Sequence, residues 1–490
     1  MENTMKRFEY KWIALLVTTI GSLMVAIDST IVILGLPSMI QDLHSNLVKM
    51  TWIIIGYLLV STILQITFGR MADMFGRVRL YNIGFIIFTA GSALCGFAQT
   101  DTQLIIFRVV QGLGGAMLGA NAMAIITEVF PANQRGQAMG FNAITWGAGS
   151  VLGPVLGGII LAVASWRWIF LVNLPIGVIA TLAAYLLLHD IKPNPKGEQF
   201  DIVGAIFFSI GLLGLLMGII GGIGANALAP QIVAPIGIGA AGMVAFIIWE
   251  QRAAFPMLDL RLFTSRTYTF STLAATLQSL AVFAVNFLLI FYLQGVKGDS
   301  PILSALLILP LPLATSIIGP LSGRWADRIG GKIPATIGLL LQCAALLLLV
   351  MLTPSTPYIL LAIALFLLGI GGGMFWSPNT SVTMNAAPAN RLGVASATLN
   401  TMRNIGTVFS FAIALAVAAA SMPPKLVNEV FLGTVGHLQP IIAQDFTEAM
   451  TKAFIASAII SLAAIYSSFV RDSKSVGAKT NATAHGGSQS

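Results

Sequence analysis

The chain has 490 residues, of which 57% are hydrophobic and only 9% charged, with a net charge of +8 and a mean hydropathy of +0.88. Soluble domains carry about a quarter charged residues, so this composition excludes a water-clothed globule and requires lipid around most of the surface. The basic excess is spread over short loops with no basic patch, which excludes nucleic acid as a partner and fits basic loops on one membrane face.

Apolar runs of about 20 residues, the length needed to cross the hydrocarbon core, recur along the whole chain. They are continuous rather than alternating, so the predicted fold is all-α, an integral membrane bundle of fourteen transmembrane helices. Spans are predicted at 12–36, 50–69, 80–98, 102–126, 136–163 and 168–188, then at 203–223 and 232–249. Six more are predicted at 267–293, 302–322, 333–352, 357–384, 392–420 and 449–469. The first run is too long for a cleavable signal and reads as a span. Most Lys and Arg fall in loops that are cytoplasmic if the N-terminus is inside. Lys49, Arg167, Lys297, Lys425 and Lys452 are assigned to the outer side. Both termini are therefore expected in the cytoplasm of a cell with this protein in its cytoplasmic membrane. Arg471 is counted with the tail.

Asp28 is the one acid predicted deep inside a span, nine residues before Pro37 and so about 13 Å below the helix end. Arg108 lies six residues after Thr102, about 9 Å deep in the oppositely directed fourth helix. The two charges fall at similar depth and can pair. Paired, Asp28 is held ionised; unpaired and buried, it takes up a proton. Switching between those states would couple transport to protons, while a permanent pair would only order the first half. Arg403, about 17 Å into helix 13, has no acid at comparable depth in its half. It is suited to an anionic substrate group or to carbonyls at a helix break.

Gly149, Gly153 and Gly157 leave one face of helix 5 bare, and Pro154 removes one of its backbone bonds. Gln278, Val282 and Asn286 share a face of helix 9. Trp52, Tyr57, Trp146 and Trp376 can wall an apolar pocket or simply face core and lipid. Cys95 and Cys343 lie inside apolar runs and read as small buried hydrophobes. His44, His189, His437 and His485 are scattered, with no metal-ligand spacing. No Gly-x-x-x-x-Gly-Lys-[Ser/Thr] occurs, so neither a metal nor a nucleotide cofactor is expected. No nucleophile motif points to an enzyme.

An internal repeat organises these runs. Gly69-Arg-Met-Ala-Asp73-Met-Phe-Gly76-Arg77 follows helix 2, and Gly323-Arg-Trp-Ala-Asp327-Arg328-Ile-Gly330 follows helix 10. The first resembles the signature of the major facilitator superfamily. Ile27-Asp28-Ser-Thr-Ile-Val-Ile-Leu-Gly-Leu-Pro37 is similar to the first-helix motif of fourteen-helix drug/proton antiporters. Arg108-Val-Val-Gln-Gly112, Gly149-Ser-Val-Leu-Gly153-Pro154-Val-Leu-Gly157, the stretch Trp166 to Gly177 and Asp201-Ile-Val-Gly204 fit the same subgroup. Met71 and Met74 depart from the usual Leu and Arg of the signature.

The resemblance implies a major facilitator fold of two six-helix halves, at 12–190 and 267–470, around an inserted pair within 191–266. A cytoplasmic N-terminus at 1–11 and a Ser/Gly/Ala-rich, disordered tail at 471–490 complete the division. It implies proton-coupled export of hydrophobic or amphipathic compounds, with lipid, a small substrate and protons as partners; some such relatives also have a periplasmic adaptor. Asp73 would meet the N-terminus of helix 13 and Asp327 that of helix 5, as a cytoplasmic gate, with Arg77 and Arg328 bridging to acids such as Glu128. Alternatively these loops only enforce orientation. The helix-9 face of Gln278, Val282 and Asn286 would line the central cavity between the halves, as its counterpart does in the family, and Arg403 would stand among the cavity residues. The helix-5 glycines would seal the two halves on the outer side, or serve plain helix packing. Rival readings are an exporter of an endogenous lipid, fatty acid or peptide, an uncoupled uniporter, and a membrane scaffold.

Overall fold

The computed structural model describes residues 2–45, 47–131, 135–190, 201–221, 229–388, 392–420 and 440–471. Among these, thirteen helices are long and apolar enough to cross a membrane, and a further long helix, α13, carries a polar face. In chain order they are α1 (Glu2–Asp42), α2 (Leu47–Phe75), α3 (Arg77–Gly96), α4 (Asp101–Val129), α5 (Arg135–Val163) and α6 (Trp168–Leu187). The inserted pair is α7 (Ile202–Gly221) and α8 (Pro230–Glu250). The rest are α9 (Arg266–Val296), α10 (Pro301–Ile329), α11 (Lys332–Leu349), α12 (Tyr358–Asn385), α13 (Leu392–Ala420) and α14 (Pro440–Val470). Helices are the answer because lipid offers no partner for a free backbone N–H or C=O.

The packing repeats with a shift of eight elements. α1 packs on α4, α5 and α6, as α9 does on α12, α13 and α14; α2–α4 returns as α10–α12, and α3–α6 as α11–α14. The two halves meet along α5–α10 and α2–α13, which are the same contact with the halves exchanged. One apolar cluster runs across both seams, joining Ile31, Leu59, Ile308 and Phe411. α7 lies against α2 and α13, so the inserted hairpin sits beside one seam. Asp201 accepts from Gly204 N and Trp249 Nε1 (2.8 Å each), and Glu250 accepts from Met257 N and Leu258 N (3.1 Å each). Those acids fasten both ends of the hairpin.

Several helices depart from regular spans for covalent reasons. In α6 a turn at Trp168–Leu171 is separated from Asn173–Leu187. Pro175 has no N–H for Leu171 O, so the ladder is interrupted there. In α10, Pro301–Ile308 and Pro310–Ile329 meet at Leu309, where Pro310 has the same effect. α9 ends in a π-turn at Tyr292–Val296.

The repeated segment expected as a loop is mostly helix. α2 runs on to Phe75, and helix resumes at Arg77, with Gly76 alone between them at φ +106°. Gly330 ends the second copy at φ +83°. Only glycine takes such a backbone cheaply, so the first reversal needs one residue and the second two, Gly330 and Gly331, rather than a loop.

Candidate functional site

Asp28 of α1 is completely buried, and its carboxylate is saturated. Arg108 Nη1 donates to Oδ2 at 2.7 Å, while Gln111 Nε2 and Asn173 Nδ2 donate to Oδ1 at 2.9 and 3.2 Å. Arg108 and Gln111 stand three residues apart on α4 and so share a face. Asn173 enters from α6 just after its proline break. Arg108 also donates through Nε to Ile53 O at 3.1 Å and through Nη1 to Gln111 Oε1 at 2.6 Å, and lies 4.3 Å over the Tyr57 ring. Asn173 donates to Ser92 Oγ, which donates to Phe170 O (3.0 and 2.9 Å). The result is a buried, charge-neutral knot tying α1, α2, α3, α4 and α6. Charged hydrogen bonds of this kind are strong in low dielectric, and removing either ion would strand the other.

Among the described residues, the second half shows no ion pair at the corresponding place. Gln278 of α9 is buried and donates to Gln342 Oε1 of α11 at 3.1 Å. This corrects the expectation that Gln278 lines the space between the halves: it points into its own half. Tyr57 is corrected likewise, since it is buried as the floor beneath Arg108. Asn286 is half-buried on α9.

The helix-5 glycines pack within their own half. Gly149 faces Ala26, Gly153 faces Thr30 and Gly157 faces Ile31, all on α1 of the same half. The contact between halves uses another face of α5. A Cβ on Gly158 would lie 2.8 Å from Ile302 Cα and 3.0 Å from Ala305 Cβ of α10, and one on Gly147 would lie 2.8 Å from Ser316 Oγ. Pro154 is buried within α5.

Between α4 and α5 on one side and α12 and α13 on the other, no comparable packing occurs among the described residues. Trp146 of α5 is 42% exposed. The half-buried Arg403 of α13 lies 5.2 Å over the ring of Trp376 of α12. At the adjoining seam Asn404 Nδ2 donates to Gln65 Oε1 at 3.0 Å, linking α13 to α2.

At the end of the bundle that holds the chain terminus, Arg77 meets Glu128 Oε2 and Ala124 O, both at 3.3 Å. Gly69 faces Ala120 of α4. The side chains of Asp73 and Asp327 lie outside the described residues, and Arg328 is exposed. Asp190, just past α6, accepts from Val78 N and Arg79 N (2.8 and 3.2 Å), which caps the positive end of α3. Arg471, assigned to a solvated tail by its position, is instead buried. It donates to Asn379 Oδ1 at 2.6 Å, to Ser271 Oγ at 3.3 Å, and to the carbonyls of Gly331 and Lys332 at 3.1 and 3.3 Å. Burial pushes its guanidinium down to about 10, which leaves it charged at neutral pH.

Gln111 and Asn173 lie inside two of the matching motifs but were given no role there, and Ser92 was not singled out. Gln111 had a signal, its three-residue spacing from Arg108. The other two belong to helices whose relation to Asp28 exists only in three dimensions.

The family model for the Major Facilitator Superfamily matches residues 18–411. The chain belongs to that superfamily. It is therefore a multi-pass membrane transporter and not an enzyme. Among its relatives, Multidrug transporter protein MdtP of Bacillus subtilis is 33% identical over 420 residues, 86% of this chain and 76% of that protein. Riboflavin transporter RibZ of Clostridioides difficile is 31% identical over 406 residues, 81% and 87% of the two chains. The Tetracenomycin C resistance and export protein of Streptomyces glaucescens is 31% identical over 444 residues, 89% and 82%. Two solved structures share the fold: a bacterial homologue of the human lysosomal transporter Spinster, inward-facing and unoccupied, and the D-xylose–proton symporter. Their TM-scores are 0.64 and 0.65 and their identities 17% and 14%; they cover 94% of this chain, and 97% and 98% of their own.

Proposed function

We propose that this transporter exports hydrophobic or amphipathic compounds from the cytoplasm in exchange for protons, by alternating access, with both termini cytoplasmic. The carrying observation is the Asp28–Arg108 pair, sealed in an otherwise uncharged part of the spans and held through donors on two helices, α4 and α6. Ionisable residues at that depth are expensive and are kept for function. In this conformation the carboxylate is paired. A rearrangement that draws α1 from α4 removes the guanidinium, and the stranded carboxylate then takes up a proton. Relatives named for multidrug resistance and drug export support the direction and the cargo class.

In this reading Asp73 and Asp327 close the cytoplasmic side, supported by Arg77 and Glu128, while the Gly158 face of α5 closes the outer side against α10. A second reading, a carrier dedicated to one metabolite, is favoured by the similarity to Riboflavin transporter RibZ.

The test uses purified protein in proteoliposomes with a pH-sensitive dye trapped inside. Under an imposed proton gradient, lipophilic cations, neutral drugs and fatty acids are added in turn. Substrate-dependent proton flux, lost in a well-folded Asp28→Asn variant, is the expected result. Flux that persists in Asp28→Asn removes Asp28 from the coupling step.

A further inference from the structure

The charges inside the spans do not balance. Asp28 and Arg108 neutralise each other within one half. Arg403, about a dozen residues into α13, meets no carboxylate among the described residues and makes only its contact with the Trp376 ring. Arg471 also lacks a carboxylate partner among the described residues, yet four oxygens accept from its Nη1 and Nη2, leaving only Nε without an acceptor. Arg403, half-buried on α13, has no acceptor for any of its guanidinium donors among the described residues.

Its position is also special. Arg403 stands three residues before Gly406, whose bare face rests on Thr276 O and Ser279 of α9. Trp146 stands three residues before Gly149, whose bare face rests on Ala26 of α1. α5 and α13 are counterparts in the repeated packing, as are α1 and α9. Trp146 and Arg403 therefore occupy matching positions on α5 and α13, one an exposed aromatic ring, the other a cation braced on a second ring.

We infer that Arg403 and Trp376 form the anion-binding end of the substrate site, and that the preferred cargo is an acidic amphipath: one carboxylate or similar anion on an apolar or aromatic body. A guanidinium presents paired donors in the geometry of a carboxylate, and a ligand anion supplies the countercharge the protein omits. The body of the ligand lies along the rings of Trp376 and Trp146. The same guanidinium repels lipophilic cations, so selectivity follows from repulsion as well as attraction. This deepens the proposed export function and rests on it for the location of the substrate path.

The experiment measures equilibrium binding to protein in lipid nanodiscs. The probes are dansyl-labelled undecanoic acid, its methyl ester, and a dansyl alkyl trimethylammonium. The wild type is expected to bind the acid about tenfold tighter than the ester. Arg403→Gln should bring acid and ester within about twofold by weakening the acid alone, and Arg403→Lys should restore part of the preference. Unchanged ester binding by Arg403→Gln shows that the variant is folded. Equal affinities in the wild type, or an acid preference that survives Arg403→Gln, overturn the inference. Proton flux driven by neutral or cationic compounds without any acid preference would sink this inference and leave proton-coupled export standing. Arg403-dependent acid binding without proton flux would do the reverse.

Discussion

At the scale of single residues, the protein places a deep ion pair where both carboxylate oxygens have donors and the guanidinium is bound through Nε and Nη1. Three donors converge on Asp28, and the guanidinium of Arg108 is shared between that carboxylate, Gln111 and a backbone carbonyl. Breaking such a pair from one side is harsher than removing both partners. Arg108→Leu is expected to lose about 3–5 kcal/mol of stability, and adding Asp28→Asn to it should recover part of the loss. Thermal unfolding of both variants in detergent checks this; equal stability of single and double variants would contradict it. Gly76 is a second sharp case. Its φ is +106°, and the Asp190 carboxylate sits where a Cβ would go. Gly76→Ala should cost on the order of 1–3 kcal/mol in the same assay, and Asp190→Ala in the same background should relieve the crowding without relieving the backbone.

At the scale of elements, proline and glycine decide what hydrophobicity leaves open. Pro175 breaks α6 directly ahead of the part that carries Asn173 to Asp28, and Pro310 breaks α10 near the seam with α5. α5 has two glycine faces with separate duties, one set into α1 and one set against α10. Gly153→Leu would drive a side chain into Thr30 within one half and should lower the unfolding temperature. Gly158→Leu would push against Ile302 and Ala305 across the seam, so it should slow transport with a smaller change in stability. Parallel thermal and flux measurements separate the two; the opposite ranking would reverse the assignment. The spacing of Gly149, Gly153 and Gly157 made a bare face legible in the sequence. Which neighbour that face meets was not legible, because every helix in the bundle is apolar enough to be that neighbour.

At the scale of the whole molecule, the halves touch through two symmetry-related seams, with no comparable packing between α4–α5 and α12–α13 among the described residues. Alternating access requires those seams to rock. A disulfide between Gln65→Cys and Asn404→Cys, whose native side chains lie 3.0 Å apart, should stop transport in a Cys95→Ala/Cys343→Ala background and release it on reduction. Full transport by the oxidised protein would mean that the α2–α13 seam does not open during the cycle.

Span number, fold class and the depth of Asp28 and Arg108 are properties of the chain's one-dimensional pattern. Continuous apolar runs admit only helices in lipid, and 1.5 Å per residue converts a sequence interval into depth. The repeated Gly-x-x-x-Asp segments likewise revealed two related halves. Azimuth, by contrast, is set by packing. In a span that is apolar all round, no hydrophobic stripe records which face turns inward. So Gln278 turned to α11 rather than to the space between the halves, Tyr57 became the floor of an ion pair, and Arg471 left the tail for a buried site. The sequence determined that the molecule crosses the membrane fourteen times and carries charge within it. Only the tertiary structure decided which charges are neutralised by the protein and which one is left for a ligand, because pairing depends on the rotation of one helix against another.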